Sequence, residues 1–302
     1  MTEVTHIRER RERMRAPRVP RHRSPDPLAS FATSFTALGE LAYEGAQVSA
    51  SVTDLETGRS LLGIDERIVL PTASIGKILL LIEVSARLSA RDVSGYGILD
   101  KTSRDAVGDA GIWQHLQAPS LPIADLASLV GATSDNLATN VLLREVGLQA
   151  VRDRTESLGL MRTALLDLVR ESRGPDDAPQ LSVGSTAELG WLFAALTRGE
   201  IVDNLTSSRV LGWLSLNADL SMVASAFGLD PLSHRGVDHG MLLVNKTGTD
   251  DGVRSEAGVV RGPRSAVSYA VSVQFRDDGI AARLRVLEAM RTVGFDVLEY
   301  VH

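Results

Sequence analysis

The order in which hydrophobic periodicities change along the chain limits its fold more than any single residue does. A period of two runs through Gln47–Asp54 and returns, after Glu56-Thr57-Gly58, in the apolar run at 61–64, which predicts a β-hairpin. Helical periodicity precedes it at 28–43, and a continuous apolar stretch at 75–88 is too uniform for a surface helix and predicts a buried one. Further helices are predicted at 123–132, 136–146, 186–197 and 207–216, with a long loop at 161–182. Strands then come back at 241–247, 257–261 and 266–275, with a turn at Asp250-Asp251-Gly252, before a last helix at 279–293. The first and last strands can share one antiparallel sheet only if the helical block is inserted between them. This is an α+β layout with a cleft at the seam. Residues 28–302 form one domain in this reading. Its sheet part is 28–70 with 240–302, and its helical part is 71–239.

Composition narrows the possible chemistry. The chain has no cysteine, so disulfides, thiolate metal sites and cysteine nucleophiles are excluded. A net charge of −6 argues against a nucleic-acid partner, although eight arginines between Arg8 and Arg23, interleaved with prolines, predict a disordered basic tail at 1–27. No apolar run follows those arginines and none reaches membrane-span length, so a cytoplasmic location without membrane contact is expected. A lost leader would change that expectation to a secreted protein.

Lysine is rare. Only Lys77, Lys101 and Lys246 occur, against an otherwise arginine-based positive charge. Arginine stays protonated, whereas a buried lysine can lose its proton and serve as a base. Lys77 stands three residues after Ser74, so on a helix the two share a face and the amine can reach the hydroxyl. Lys246 opens Lys246-Thr247-Gly248, and Ser134-Asp135-Asn136 lies between the two. Each motif alone is weak; the ordered set of three is specific. Two cations near each other lower one another's pKa. Ser134 suits proton relay to a leaving nitrogen, and Asn136 suits holding Lys77 or a substrate amide. Lys246 and Thr247 offer a cation and a hydroxyl to a carboxylate. Gly248 lets substrate lie along a strand edge, and the N–H groups of Ser74 and Thr249 could bind an oxyanion.

With these motifs in place, the chain resembles the class A β-lactamases and their relatives among the penicillin-recognising serine enzymes. The similarity runs from about residue 30 to the end. It includes Asp54-Leu55-Glu56-Thr57-Gly58, the Leu142-Leu143 pair after the second motif, and the stretch from Gly252 to Gly258. The resemblance implies a β-lactamase/transpeptidase-like fold, Ser74 as acylated nucleophile, and Lys77 as proton-transfer partner. Ser134, Asn136, Lys246 and Thr247 would complete the cleft. It also implies a small-molecule substrate, no cofactor, no metal, and a monomer. A loop glutamate that activates the deacylating water is expected in such enzymes. Glu171, 37 residues after Ser134, is the candidate and Asp167 its rival, but the asparagine of that loop motif is missing. Three readings stay open: β-lactam hydrolysis, a D-alanyl peptidase or esterase of the same fold, and a penicillin-binding sensor without turnover. A metal site from His234, Asp238 and His239 is set aside in favour of a polar rim loop, and Arg254 is either a carboxylate ligand or an ordinary strand-end charge.

Overall fold

The computed structural model describes residues 30–302; the basic tail expected at 1–27 lies outside the described residues. Helix α1 (Ala32–Tyr43) leads into β1 (Gln47–Asp54) and β2 (Ser60–Ile64). A two-residue strand β3 (Leu70–Pro71) and one 3-10 turn (Ala73–Gly76) precede α2 (Lys77–Ala90). The short hairpin β4 (Ile98–Asp100) and β5 (Ser120–Pro122) opens the helical part, which continues with α3 (Ile123–Thr133), α4 (Asn136–Val146) and α5 (Leu148–Ser157). Two short strands, β6 (Ala164–Leu165) and β7 (Ser182–Gly184), bracket a loop. Then come α6 (Thr186–Thr197), α7 (Asn204–Leu214), β8 (Leu242–Asp250), β9 (Val253–Arg261), β10 (Ala266–Gln274) and α8 (Ile280–Val301).

The main sheet has the order β2-β1-β10-β9-β8, antiparallel throughout. The N-terminal hairpin therefore pairs with the C-terminal strands, as the order of periodicities requires. Strand β8 is left with a free edge. One sheet face buries Val48, Val52, Tyr269 and Val271 with α1, α8 and the 3-10 turn at Val223–Ala226. The opposite core joins Ala257 and Ala270 to α2, α3, α4, α6 and α7. Helix α2 runs through its middle, with every residue from Lys77 to Ala86 buried. Each Leu or Ile buried this way contributes about 1.5–3 kcal/mol. Its buried acid, Glu83, is neutralised by Arg87 Nε at 2.8 Å and by Arg154 Nε of α5 at 2.9 Å.

Asp54 closes the hairpin and fixes it to the other end of the chain. Its Oδ1 accepts from the N–H groups of Glu56 and Thr57 and from Thr57 Oγ1. Its Oδ2 accepts from Ser265 Oγ and Tyr300 OH, each at 2.8 Å.

Candidate active site

The nucleophile turn is wedged between two segments far away in sequence. Thr72 N donates to Ser182 O (3.1 Å), and Ser182 Oγ donates to Ala73 O (2.6 Å). A Cβ at Gly76 would stand 2.3 Å from Ser182 Cβ, and one at Gly248 would stand 2.1 Å from Thr72 O. Both positions are therefore restricted to glycine. Strand β8 approaches the Ser74 turn so closely that the third residue of the Lys246 motif has no room for a side chain. Ala73 takes φ +46 immediately before Ser74, and Ser134 takes φ +55 at the end of α3. Left-handed backbone at non-glycine residues costs about 1–3 kcal/mol each and concentrates at functional positions.

Ser74 lies in the 3-10 turn and the α-helix proper starts at Lys77. Lys77 is fully buried. Its Nζ donates to Ser134 O (2.6 Å), to Asn136 Oδ1 (2.6 Å) and, more weakly, to Ser134 Oγ (3.2 Å). Among the described residues no hydrogen bond joins this amine to Ser74 Oγ. Burial pushes the Lys77 pKa well below the usual lysine range, and the Lys246 charge adds to the shift; Asp135 and Asp109 oppose it. Three acceptors favour the ammonium form, while burial favours the amine. Asp135 does not touch the amine. It caps α4 by accepting from Ala138 N, and it anchors the facing loop by accepting from the N–H groups of Ile112 and Trp113.

Lys246 is also fully buried, its Nζ donating to Thr247 O at 2.7 Å. Burial brings its pKa down to about 8, against the pull of Asp219. By strand alternation Lys246 and Gly248 face the nucleophile turn, while Asn245 and Thr247 face the other way. Thr247 is buried and Thr249 reaches the cavity. Arg254 turns away from the cavity. Its Nη1 donates to Asp250 O and Val253 O, and its guanidinium lies over the Phe275 ring and near Asp277.

A cavity of about 650 Å³ opens over Ser74, lined also by Asn136, Glu171 and Thr249. Glu171 is exposed at its edge, and its Oε1 accepts from Gly108 N at 2.9 Å. Asp167 is committed elsewhere: its carboxylate accepts from Arg170 Nε (2.8 Å), Arg173 Nη1 (2.6 Å) and its neighbour Leu168 N. Burial works to raise its pKa, but the Arg170 and Leu168 hydrogen bonds prevail and hold it below the usual aspartate value. The loop carrying both acids is fastened by Asn140, which donates to Val169 O (3.0 Å) and accepts from Val169 N (2.9 Å).

The histidine-bearing segment forms no metal centre. His234 is buried with Nδ1 beside Asp230 O at 3.0 Å, and His239 is exposed. Among the described residues no group of three metal-binding side chains occurs, and no helix is long and apolar enough to cross a membrane.

Two features were not read from the sequence. Gly108 links the motifs, since its carbonyl accepts from Asn136 Nδ2 at 3.0 Å while its N–H serves Glu171. Glu256, directly opposite Thr247 on β9, is buried behind the Lys246 strand. A glutamate in the middle of an apolar strand was the available signal.

The family described as "Beta-lactamase enzyme family" matches residues 30–301. No curated protein matches the chain by sequence. Among solved structures the chain is similar to a β-lactamase from Sphaerobacter thermophilus, with TM-score 0.77, 22% identity, and 90% of this chain and 97% of that one covered. It is similar to a β-lactamase from Xanthomonas campestris pv. campestris (TM-score 0.75, 17% identity, 90% and 99% covered). It is also similar to PBP-A (TM-score 0.73, 19% identity, 89% and 95% covered). At these identities the likeness is one of fold: an antiparallel sheet with an inserted helical part, the β-lactamase/transpeptidase-like architecture. Spanning nearly every described residue, the family match and the architecture agree, and the chain belongs to the β-lactamase enzyme family.

Proposed function

We propose that the chain hydrolyses β-lactams through an ester on Ser74. The observation that carries this reading is the Lys77 amine, fully buried, driven toward neutrality, and held by Ser134 and Asn136 one turn from the serine. The neutral amine takes the Ser74 proton as Oγ attacks the lactam carbonyl. The N–H groups of Ser74 and Thr249 receive the oxyanion. As the C–N bond breaks, Ser134 Oγ passes a proton to the leaving nitrogen and is reprotonated from Lys77. Lys246, cationic below about pH 8, draws the substrate carboxylate to the β8 edge, with Thr247 as its neighbour. Glu171 then takes a proton from the water that attacks the ester, and that proton returns to Ser74 Oγ as the ester bond breaks. Of the two candidate acids, Asp167 is neutralised by two arginines, and Glu171 is the one that lines the cavity. No cofactor takes part.

One observation favours slow turnover as a second reading. Glu171 is exposed and already engaged by Gly108 N, so its ester-cleaving step could lag behind acylation and leave a protein that mainly captures its substrate. A chromogenic cephalosporin followed by product release and by intact mass separates the two. Sustained release, abolished in Ser74→Ala and replaced by a stable adduct in Glu171→Gln, is the expected result. A stable one-to-one adduct in the unaltered protein supports capture. Absence of both release and adduct overturns the β-lactam reading and points to ester or amide substrates.

A further inference from the structure

Behind the Lys246 strand lies a buried polar cluster that the proposed chemistry does not use. Glu256, Asn245 and Tyr269 are completely buried, and Asn217 nearly so. Glu256 Oε1 accepts from Asn245 Nδ2 (2.8 Å) and Tyr269 OH (2.7 Å), and its Oε2 accepts from Ala224 N (3.3 Å). Asn245 Oδ1 in turn accepts from Asn217 Nδ2 (2.9 Å), which also donates to Asp219 O (3.1 Å). Three parts of the molecule thus meet on one carboxyl group: β8, through the residue just before Lys246; β10, through Tyr269; and the 217–226 segment that leads away from α7. The cluster is tightly packed on the Gly258 side, where a Cβ would stand 2.9 Å from Tyr269 OH.

Every partner of Glu256 in this cluster is a donor. The site is therefore shaped for a carboxylate, yet no cation pairs with Glu256 among the described residues. Of the charged groups, Asp219 is the one that bears on it, and its charge opposes ionisation. A proton on Oε2 would point at the Ala224 N–H, donor against donor, and the bond to the 223–226 turn would be lost.

We propose that Glu256 is a positioning residue for acyl transfer: as a carboxylate it holds Asn245, and with it Lys246-Thr247-Gly248, in register against the 217–226 segment. Protonation loosens that hold. The pKa is placed to matter, because burial pushes it up to about 7 against the hydrogen bonds of Tyr269, Asn245 and Ala224. The link to catalysis rests on the function proposed above; the link to Lys246 does not.

The scarcity of lysine makes a direct test possible. With lysine labelled by carbon-13 at Cε, the protein gives signals from Lys77, Lys101 and Lys246 alone, with Lys101 identified by Lys101→Arg. The Lys246 signal is expected to move in two steps on raising the pH, the lower step near pH 7 reporting Glu256 and the upper its own amine. Glu256→Gln, the uncharged isostere, should remove the lower step. Tyr269→Phe, which withdraws one donor from the carboxylate, should move it upward by about one unit. A purely structural role predicts no such displacement. Acylation by a chromogenic cephalosporin, read by mass in parallel, should fall off below the same midpoint in the unaltered protein. In Glu256→Gln it should be slow and level across that range. A Lys246 signal whose steps are the same in all three proteins overturns the proposal. Absence of any adduct, with the Lys246 steps behaving as stated, overturns the β-lactam reading alone.

Discussion

Asn136 and Glu171 hold one residue from opposite sides: Gly108 accepts from Asn136 Nδ2 through its carbonyl and donates to Glu171 Oε1 through its N–H. Asn136 Oδ1 meanwhile takes the Lys77 amine. The group proposed for forming the ester and the group proposed for cleaving it are thereby connected through a single residue and one amide side chain. Asn136→Ala should disturb both. It leaves a buried amine short of an acceptor and frees the 108 loop, so acylation should drop by about 10²-fold or more, with deacylation slowed as well. Single-turnover mass spectrometry resolves the two steps. An Asn136→Ala protein that acylates at the normal rate contradicts this role.

Ser134 combines an unfavourable backbone with a useful hydroxyl. Its φ of +55 suits glycine. Ser134→Gly should therefore stabilise the fold by about 0.5–1 kcal/mol in denaturant titration, while acylation slows by about 10²-fold. A gain in stability without a loss of rate would remove Ser134 from the proton path.

In its proposed role, Lys246 sets an alkaline limit on substrate binding. Its pKa of about 8, brought down by burial, means that the cation is present below that pH and lost above it. KM for a β-lactam bearing a carboxylate should rise above pH 8, by about tenfold per unit at the steepest. The methyl ester of the same compound should bind more weakly but show no such rise. A parallel rise for both compounds would assign the effect to another group.

Asp54 contributes stability that is lost in acid. Burial tends to raise its pKa, but hydrogen bonds from Thr57, Tyr300 and Ser265 bring it down to about 2, from an unfolded value of 3.8. Its contribution is complete above the unfolded value and is lost as the pH falls through about 2. A shift of this size corresponds to roughly 2 kcal/mol. Asp54→Asn should lower stability by about that amount at neutral pH and flatten the decline between pH 4 and 2. The comparison is made by urea unfolding at several pH values.

Much of this architecture is written in local pattern. The hairpin at β1 and β2, helices α3 and α4, and the Asp250-Asp251-Gly252 turn stand where alternation, helical periodicity and turn residues place them. Helix α5 is not legible, because Leu148–Ser157 is polar and buries only Val151 and Thr155; packing against the rest of the helical part holds it. Helix α8 continues to Val301, eight residues past the predicted end, since Val297 and Val301 complete a buried stripe that a short window misses. The three motifs are visible as residue types. Their partners are not: nothing local to Asn136 announces Gly108, and nothing local to Asn245, the residue before Lys246, announces Asn217. Those relationships exist only once sheet and helices are assembled. Asp167 and Glu171 look interchangeable in sequence, and it is Arg170 and Arg173 folding back that separate them.

The bonds of Ser182 to Thr72 and Ala73, together with those of Asn140 to Val169, make the stretch between them a cassette clamped at both ends. Its far clamp is the nucleophile's own turn, so the stretch and the serine are held by the same bonds. Arg170, Glu171, Arg173 and Gln180 line the cavity from within this cassette, so one clamped stretch both walls the opening over Ser74 and is tied to its turn.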